Sequence, residues 1–423
     1  MMTMKQQVSS ASQKPIAFTR DFCMYAVKGG KLYYSWLLFL SFFAIVGLVT
    51  TYIQMTTGLI VTGATDQISW ELFVSNFIHC PSIASAAVLV VTPAYIYKRK
   101  DMKQLAVIGE AIAMVFVIIG INFILYHMGR PDRSWHAVPG IGIFNFPSSV
   151  LTYDIIVLNV YLVLNAVAVF YYLYKHYVDQ PINTTFYTPL IYFAVAWGPF
   201  IHIITAFILS SNARLAVWHT ALMPFSFLAM AASAGPALVI IIFLVIRKFT
   251  KLEIADSVID FFSQVIIWGL GTLILMFAVE FFTELYPATH HAAPLEYAIE
   301  GHHGMDPYVP WFWAVMTVFV LQFLLLLNSK IRKSYNFLLP LICLSIFLSV
   351  LIEKPSILIF PAFSPTPLGE YAVYHPTWIE IFNVLFVWAT GFIMLTMVLK
   401  GTVGVLTGEV RDTKTVAASG GAK

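Results

Sequence analysis

Four ionisable side chains, His79, His127, Asp154 and His202, stand inside or at the ends of stretches that are otherwise apolar. A charge in hydrocarbon is costly, so such groups usually face a protein interior or a water-filled cavity. Histidine titrates near neutral pH, and a carboxylate beside it can take or return a proton. Set near the edge of a membrane, this group suits a quinone. That molecule is apolar, its ring takes up two electrons and two protons, and its oxygens need hydrogen-bond partners. Two plainer readings stand beside it. Each residue alone is equally a polar helix-end group satisfied by backbone or water. His79 and His202 also lie at similar depth on two different segments, as axial ligation of a b-type haem requires.

The elements that must position these residues follow from composition. Of 423 residues, 59% are hydrophobic and 11% charged, against about 25% charged in a typical soluble domain. The mean hydropathy is +0.81. A helix crossing about 30 Å of hydrocarbon needs about 20 apolar residues. That ruler predicts an all-α integral membrane protein with about ten transmembrane helices, at roughly 34–57, 70–97, 104–128, 150–174, 187–210, 220–246, 261–284, 310–328, 335–353 and 378–400. His79 then lies about nine residues, and His202 about eight, from the outer ends of the second and fifth segments. His127 closes the third segment, and Asp154 falls near the first turn of the fourth. Small residues from Ala229 to Gly235 predict a close helix–helix approach. Residues 1–15 and 411–423 are small and polar and are expected to be loose. The first apolar run begins near Tyr33, too late for a cleavable signal peptide.

Basic residues set the orientation. Twenty of the 24 Lys and Arg fall on the side of the N-terminus, and only Arg130, Arg133, Arg214 and Lys354 are assigned to the other. The positive-inside rule makes the basic side cytoplasmic, with both termini there. The long outer loops, about 129–149, 285–309 and 354–377, are rich in Gly, Pro, aromatics and His, and are expected to pack on the helix ends or on a partner. The domain reading is therefore a cytoplasmic segment 1–32, a membrane domain 33–406 and a cytoplasmic tail 407–423. A net charge of +3 gives no reason to expect nucleic acid. Cys23, Cys80 and Cys343 are far apart, so no disulfide framework, structural zinc or cysteine-ligated iron–sulfur cluster is expected in this chain. Adjacent histidines point apart on a helix and the outer loops offer no cysteine, so no metal is expected at His290–His291 or His302–His303. Glu110, about six residues into the third segment from the basic side, and Glu280, near the outer end of the seventh, are candidates for a proton path. The plainer reading of both is a local interhelical hydrogen bond.

The stretch His127-Met128-Gly129-Arg130-Pro131-Asp132-Arg133 precedes Tyr153-Asp154-Ile155-Ile156-Val157-Leu158-Asn159-Val160-Tyr161. Ile201-His202-Ile203-Ile204-Thr205-Ala206-Phe207 follows. Then come Glu280-Phe281-Phe282-Thr283-Glu284-Leu285-Tyr286, Glu353-Lys354-Pro355 and Ser364-Pro365-Thr366-Pro367-Leu368-Gly369-Glu370. In this order they resemble the NrfD/PsrC-type quinone-interacting membrane subunits, and more narrowly the ten-helix branch with HmcC, QrcD, DsrP and ActC. Ser75–Pro81 departs from that family's small-residue pattern on the second helix.

The resemblance implies two four-helix bundles plus flanking helices, with the quinone-site bundle at about 70–210. It implies a bound quinone or menaquinone near the outer face and no haem, metal or flavin in this chain. A periplasmic iron–sulfur, ferredoxin-like subunit would dock above, with cytochrome c or molybdopterin-type and further membrane subunits beyond it. The chain would be a quinol:acceptor oxidoreductase subunit, inactive alone, in a bacterial cytoplasmic (inner) membrane. His127 and Asp154 would bond the quinol and take its protons, with His79 and His202 as further pocket contacts or relay groups. Arg130 is counted with the quinone pocket, where it would hold the loop or bond Asp132 or Asp154, or else it would reach lipid headgroups. Proton translocation through Glu110 and Glu280 is a further expectation. The rival readings are a haem-b anchor subunit, a secondary transporter and a purely structural anchor.

Overall fold

A computed structural model describes residues 4–287 and 290–412. The stretch 413–423 of the expected tail lies outside the described residues, as does the side chain of His290. The chain opens with a polar helix, α1 (Met4–Val27), where a loose segment is expected through residue 15. Phe18 explains its attachment: the ring is buried, 5.2 Å from that of Tyr177, and the Tyr177 hydroxyl donates to Asp21 over 2.7 Å.

Ten helices among the described residues are long and apolar enough to cross a membrane. They are α2 (Lys31–Thr57), α3 (Leu72–Tyr95), α4 (Ala106–His127), α5 (Val150–Tyr177), α6 (Thr184–Ser210), α7 (Met223–Phe249), α8 (Asp256–Leu285), α9 (Val309–Leu327), α10 (Leu338–Phe363) and α11 (Trp378–Leu406). Helices are what an apolar chain must form in lipid, because each backbone N–H and C=O then finds its partner within the segment. Side chains cap some of the ends: Asn183 Oδ1 accepts the Thr185 N–H at 3.0 Å, and Thr377 Oγ1 accepts the Glu380 N–H at 3.2 Å.

Two segments depart from the simple ruler. α3 is interrupted at Ser85, four residues after Pro81, and the carbonyl of Ala84 accepts the Tyr161 hydroxyl at 3.3 Å. α10 does not stop at Glu353. It continues through a π-helical turn, Lys354–Ile359, and a 3-10 turn to Phe363. Pro355 has no N–H to give an α-helical ladder, and the wider turn absorbs it, with the Phe360 N–H donating to Pro355 O at 3.1 Å. Lys354 is therefore not a loop residue. It lies inside the span with none of its surface exposed, which leaves 20 basic residues facing three.

Helices α3–α6 pack as one four-helix bundle and α7–α10 as a second, while α2 and α11 pair and lie against α4. α7 joins the bundles by packing on α3 and α6. The expected close approach is there: a Cβ at Gly235 would stand 2.8 Å from Ser82 O and 2.9 Å from Ala86 Cβ. Large apolar side chains such as Leu38, Phe42 and Trp268 remain exposed on the outer faces of α2 and α8, as lipid contact requires. One end of the molecule, the basic end, carries short connections. The other carries the long ones, 128–149, 286–308 and 364–377.

Candidate functional site

His127, the last residue of α4, is fixed from three directions. Gln54 Nε2 on α2 donates to the Tyr126 carbonyl at 2.9 Å, and the Tyr126 hydroxyl pairs with Thr51 Oγ1 at 2.6 Å. The imidazole Nδ1 then bonds Glu71 Oε2 at 2.5 Å. Glu71 stands at the head of α3 with none of its surface exposed. It is held there by Glu380 in the first turn of α11. That carboxylate accepts the backbone N–H of Leu72 at 2.7 Å, the N–H of Gly63 at 2.9 Å and the Tyr374 hydroxyl at 2.5 Å. A carboxylate at a helix N-terminus is favoured by the free N–H groups there. Burial and the adjacent Glu380 carboxylate push the Tyr374 phenol well above its ordinary pKa. With Nδ1 donating to Glu71, Nε2 is the nitrogen left to a ligand.

Asp154 lies one turn into α5 and is 2% exposed. Its Oδ1 is 2.8 Å from Thr205 Oγ1 on α6, and that hydroxyl is also 2.6 Å from the Ile201 carbonyl. One hydroxyl proton cannot serve both at once. Thr205 donates to Asp154 when the acid is ionised. When the acid is protonated, Thr205 accepts from it and turns its own proton to Ile201. The pair therefore suits both proton states of Asp154 without moving a helix.

His127 and Asp154 line the same cleft, a cavity of about 550 Å³ between α3, α4, α5, α6 and the 134–149 loop. That volume lies within the roughly 300–1,000 Å³ of small-molecule sites. The walls are mainly apolar, with Phe77, Ile121, Leu158 and Ile208 among them, and Thr205, Asn145 and Asn159 add polar groups. The loop that closes one side is ordered by His136, whose Nδ1 accepts the Ile143 N–H at 3.0 Å and whose ring stacks on Trp135. A few fixed polar groups in an apolar cleft orient a largely apolar ligand and exchange protons with it.

The other expected site residues go elsewhere. His79 and His202 are completely enclosed and line no part of this cleft. Apolar neighbours account for this at His79, whose ring sits edge-on to Phe347 at 4.9 Å and near Trp388 at 6.2 Å. Arg130 is also outside the lining: it is 65% exposed and forks onto Asp132, with bonds of 2.9 and 2.7 Å. Of its two expected carboxylate partners it takes the one beside it in sequence, because the 130–133 turn faces solvent. Arg133 lines the cleft in its place. Glu110 is buried near the basic end, 3.4 Å from the Tyr187 hydroxyl. Glu280 lines a second, smaller cavity in the α7–α10 bundle with Glu284 and Glu353. Among the described residues no group of His, Cys, Asp and Glu has the arrangement to hold a metal ion.

Sequence reasoning missed Glu71, Thr205, Glu380 and the burial of Glu353 and Lys354. An acid inside the predicted 70–97 segment was the available signal for Glu71.

Comparison with known proteins bears on this arrangement. The family profile described as Polysulphide reductase, NrfD matches residues 60–362. A selenate reductase subunit of Mesobacillus selenatarsenatis is 22% identical over 365 residues, covering 79% of this chain and 82% of its own. The Hdr-like menaquinol oxidoreductase integral membrane subunit of Archaeoglobus fulgidus is 22% identical over 303 residues, 70% of this chain and 72% of its own. A putative dimethyl sulfoxide reductase membrane subunit of Halobacterium salinarum is 26% identical over 109 residues, about a quarter of each chain. The profile spans α3 through α10 and so takes in both bundles and every residue of the cleft; this multi-pass membrane protein belongs to the NrfD polysulphide reductase family.

Proposed function

We propose that this chain is the quinone-handling membrane subunit of a respiratory oxidoreductase, and that the α3–α6 cleft binds a quinol such as menaquinol. One observation carries the reading: the same cleft is lined by an imidazole braced by a buried carboxylate and by an enclosed acid paired with a hydroxyl. The named functions of the relatives, a menaquinol oxidoreductase subunit and two reductase subunits, support it.

Quinol oxidation needs two proton acceptors. His127 Nε2 takes one proton, and Glu71 stabilises the imidazolium that results. Asp154 takes the other, and Thr205 turns to accept from it. The apolar walls hold the ring and exclude water from both bonds. The electrons leave through a partner, because the three cysteines are too scattered to ligate a cluster here. An iron–sulfur subunit docked over the loop-rich end, above the 128–149 loop, lies closest to the cleft. The bias of basic residues makes that end periplasmic and puts both termini in the cytoplasm of a bacterial cell. Glu110, beside the Tyr187 hydroxyl at the basic end, serves as an inner proton entry.

The test uses the intact complex purified with its partner subunits. Asp154→Asn and Glu71→Gln should each lower quinol oxidation by about 10²-fold, the scale of a positioned acid or base, while the partners still co-purify. Turnover at the parent rate in Asp154→Asn would overturn the reading.

A further inference from the structure

Four enclosed polar side chains are left unused by the cleft: His79 and His202 in the first bundle, and Glu353 and Lys354 in the second. Counted at 1.5 Å per residue from the loop-rich ends of their helices, His79, His202 and Lys354 sit about 10–14 Å deep, on one level. Neither ring nitrogen of His79 or of His202 has a protein hydrogen-bond partner. Buried polar groups are nevertheless satisfied, and where protein does not serve, ordered water does.

Lys354 connects these residues to the second bundle. α3, the helix of His79, packs directly on the π-turn that carries it, and the His79 ring lies against Phe347 of the same α10. The Lys354 Nζ is 3.1 Å from Glu353 Oε2 and 2.5 Å from Met230 Sδ. Glu353 and Met230 are in turn wall residues of the second cavity, which Glu280 and Glu284 also line. At the other end, His202 is one turn of α6 from Thr205, the partner of Asp154. Packing does not account for the pair, since apolar residues of similar volume hold such an interface at least as well as a buried ion pair.

We propose that His202, His79, Lys354 and Glu353 form a water-bridged proton link between the quinone cleft and the second cavity, an inference that rests on the quinone reading of the cleft. The quinol O–H bond breaks toward Asp154, and its electrons go to the partner subunit. For each proton that enters the link at His202, Lys354 passes one to Glu353 and Glu353 releases it to the cavity at Glu280, so the ion pair and the enclosed charge are the same before and after. The π-turn is what brings Lys354 inward, and the link joins the two bundles.

The experiment uses the intact complex and compares the parent with two variants. Glu353→Gln/Lys354→Met removes both charges together, leaving none uncompensated. Glu280→Gln interrupts the far end. Quinol affinity is read by titration, turnover at steady state, and the solvent isotope effect on turnover. Both variants should bind quinol within about twofold of the parent yet turn over at least about tenfold slower, with a larger solvent isotope effect. Combining them should cost no more than either alone, as members of one route do. Parent-like turnover in either variant overturns the link. A parent that binds no quinol overturns the quinone reading itself, and a distinct result marks each failure.

Discussion

Glu71 and His127 act as one unit, because the carboxylate held at the head of α3 fixes the imidazole. The imidazole would turn freely at the end of α4 without the 2.5 Å bond to a carboxylate that water does not reach. Hydrogen bonds to an ionised group are worth roughly 1.5–3 kcal/mol. Glu71→Gln keeps a partner for Nδ1 but removes the charge that stabilises the imidazolium, so it should affect turnover more than quinol affinity. Thr205→Val keeps the shape of α6 and removes the hydroxyl that serves both proton states of Asp154. A fall in turnover of about tenfold is expected, with the fold unchanged by circular dichroism, and a parent rate would remove Thr205 from the account. Arg130 is the contrast. It is exposed and bound to Asp132, so Arg130→Ala should leave quinol affinity within twofold of the parent (about 0.4 kcal/mol); a larger loss in a binding titration would return it to the cleft. His127 and Asp154 were legible because an ionisable group stands out in or beside an apolar run. Glu71 was passed over although it stands inside the predicted 70–97 segment, because an acid in the first turn of a membrane helix is ordinary and only the fold turns it inward. His79 and His202 stood out equally well, but sequence spacing does not say which side of a helix meets a cavity.

At the scale of elements, the ten spans were readable because hydrocarbon thickness sets a length that any bilayer-crossing helix must meet. The end of α10 was not. Pro355 looks like a stop, and only the packed structure shows the chain widening into a π-turn and carrying Lys354 inside. The Ala229–Gly235 stretch, by contrast, announced its role by size alone. At Gly235 a side chain would meet the Ser82 carbonyl and Ala86 across the bundle interface. Gly235→Leu should therefore push α7 from α3 and destabilise the protein by about 1–3 kcal/mol, read as a lower midpoint of thermal unfolding in detergent. An unchanged midpoint would contradict the close contact. The same substitution at Gly140, which has open space around it, tests little, because its φ of +81° penalises any side chain there.

For the whole molecule, two bundles and a flanking pair make a scaffold whose functional groups gather toward one end. Its orientation has a built-in probe: Cys23 is exposed on the basic side, whereas Cys80 and Cys343 are buried. A membrane-impermeant maleimide should label Cys23 in inverted membrane vesicles and not in intact cells. Labelling from outside the cell would reverse the orientation and place the cleft on the cytoplasmic side. The central claim, that a quinone occupies the α3–α6 cleft, is tested most directly by photoaffinity labelling of the complex with an azidoquinone, followed by peptide mapping. The account predicts label on residues 121–128 and 151–159, the cleft walls that carry His127 and Asp154, and its loss when excess unlabelled menaquinol is present. Competed label confined to the second cavity around Glu280, or no competed label at all, would contradict it.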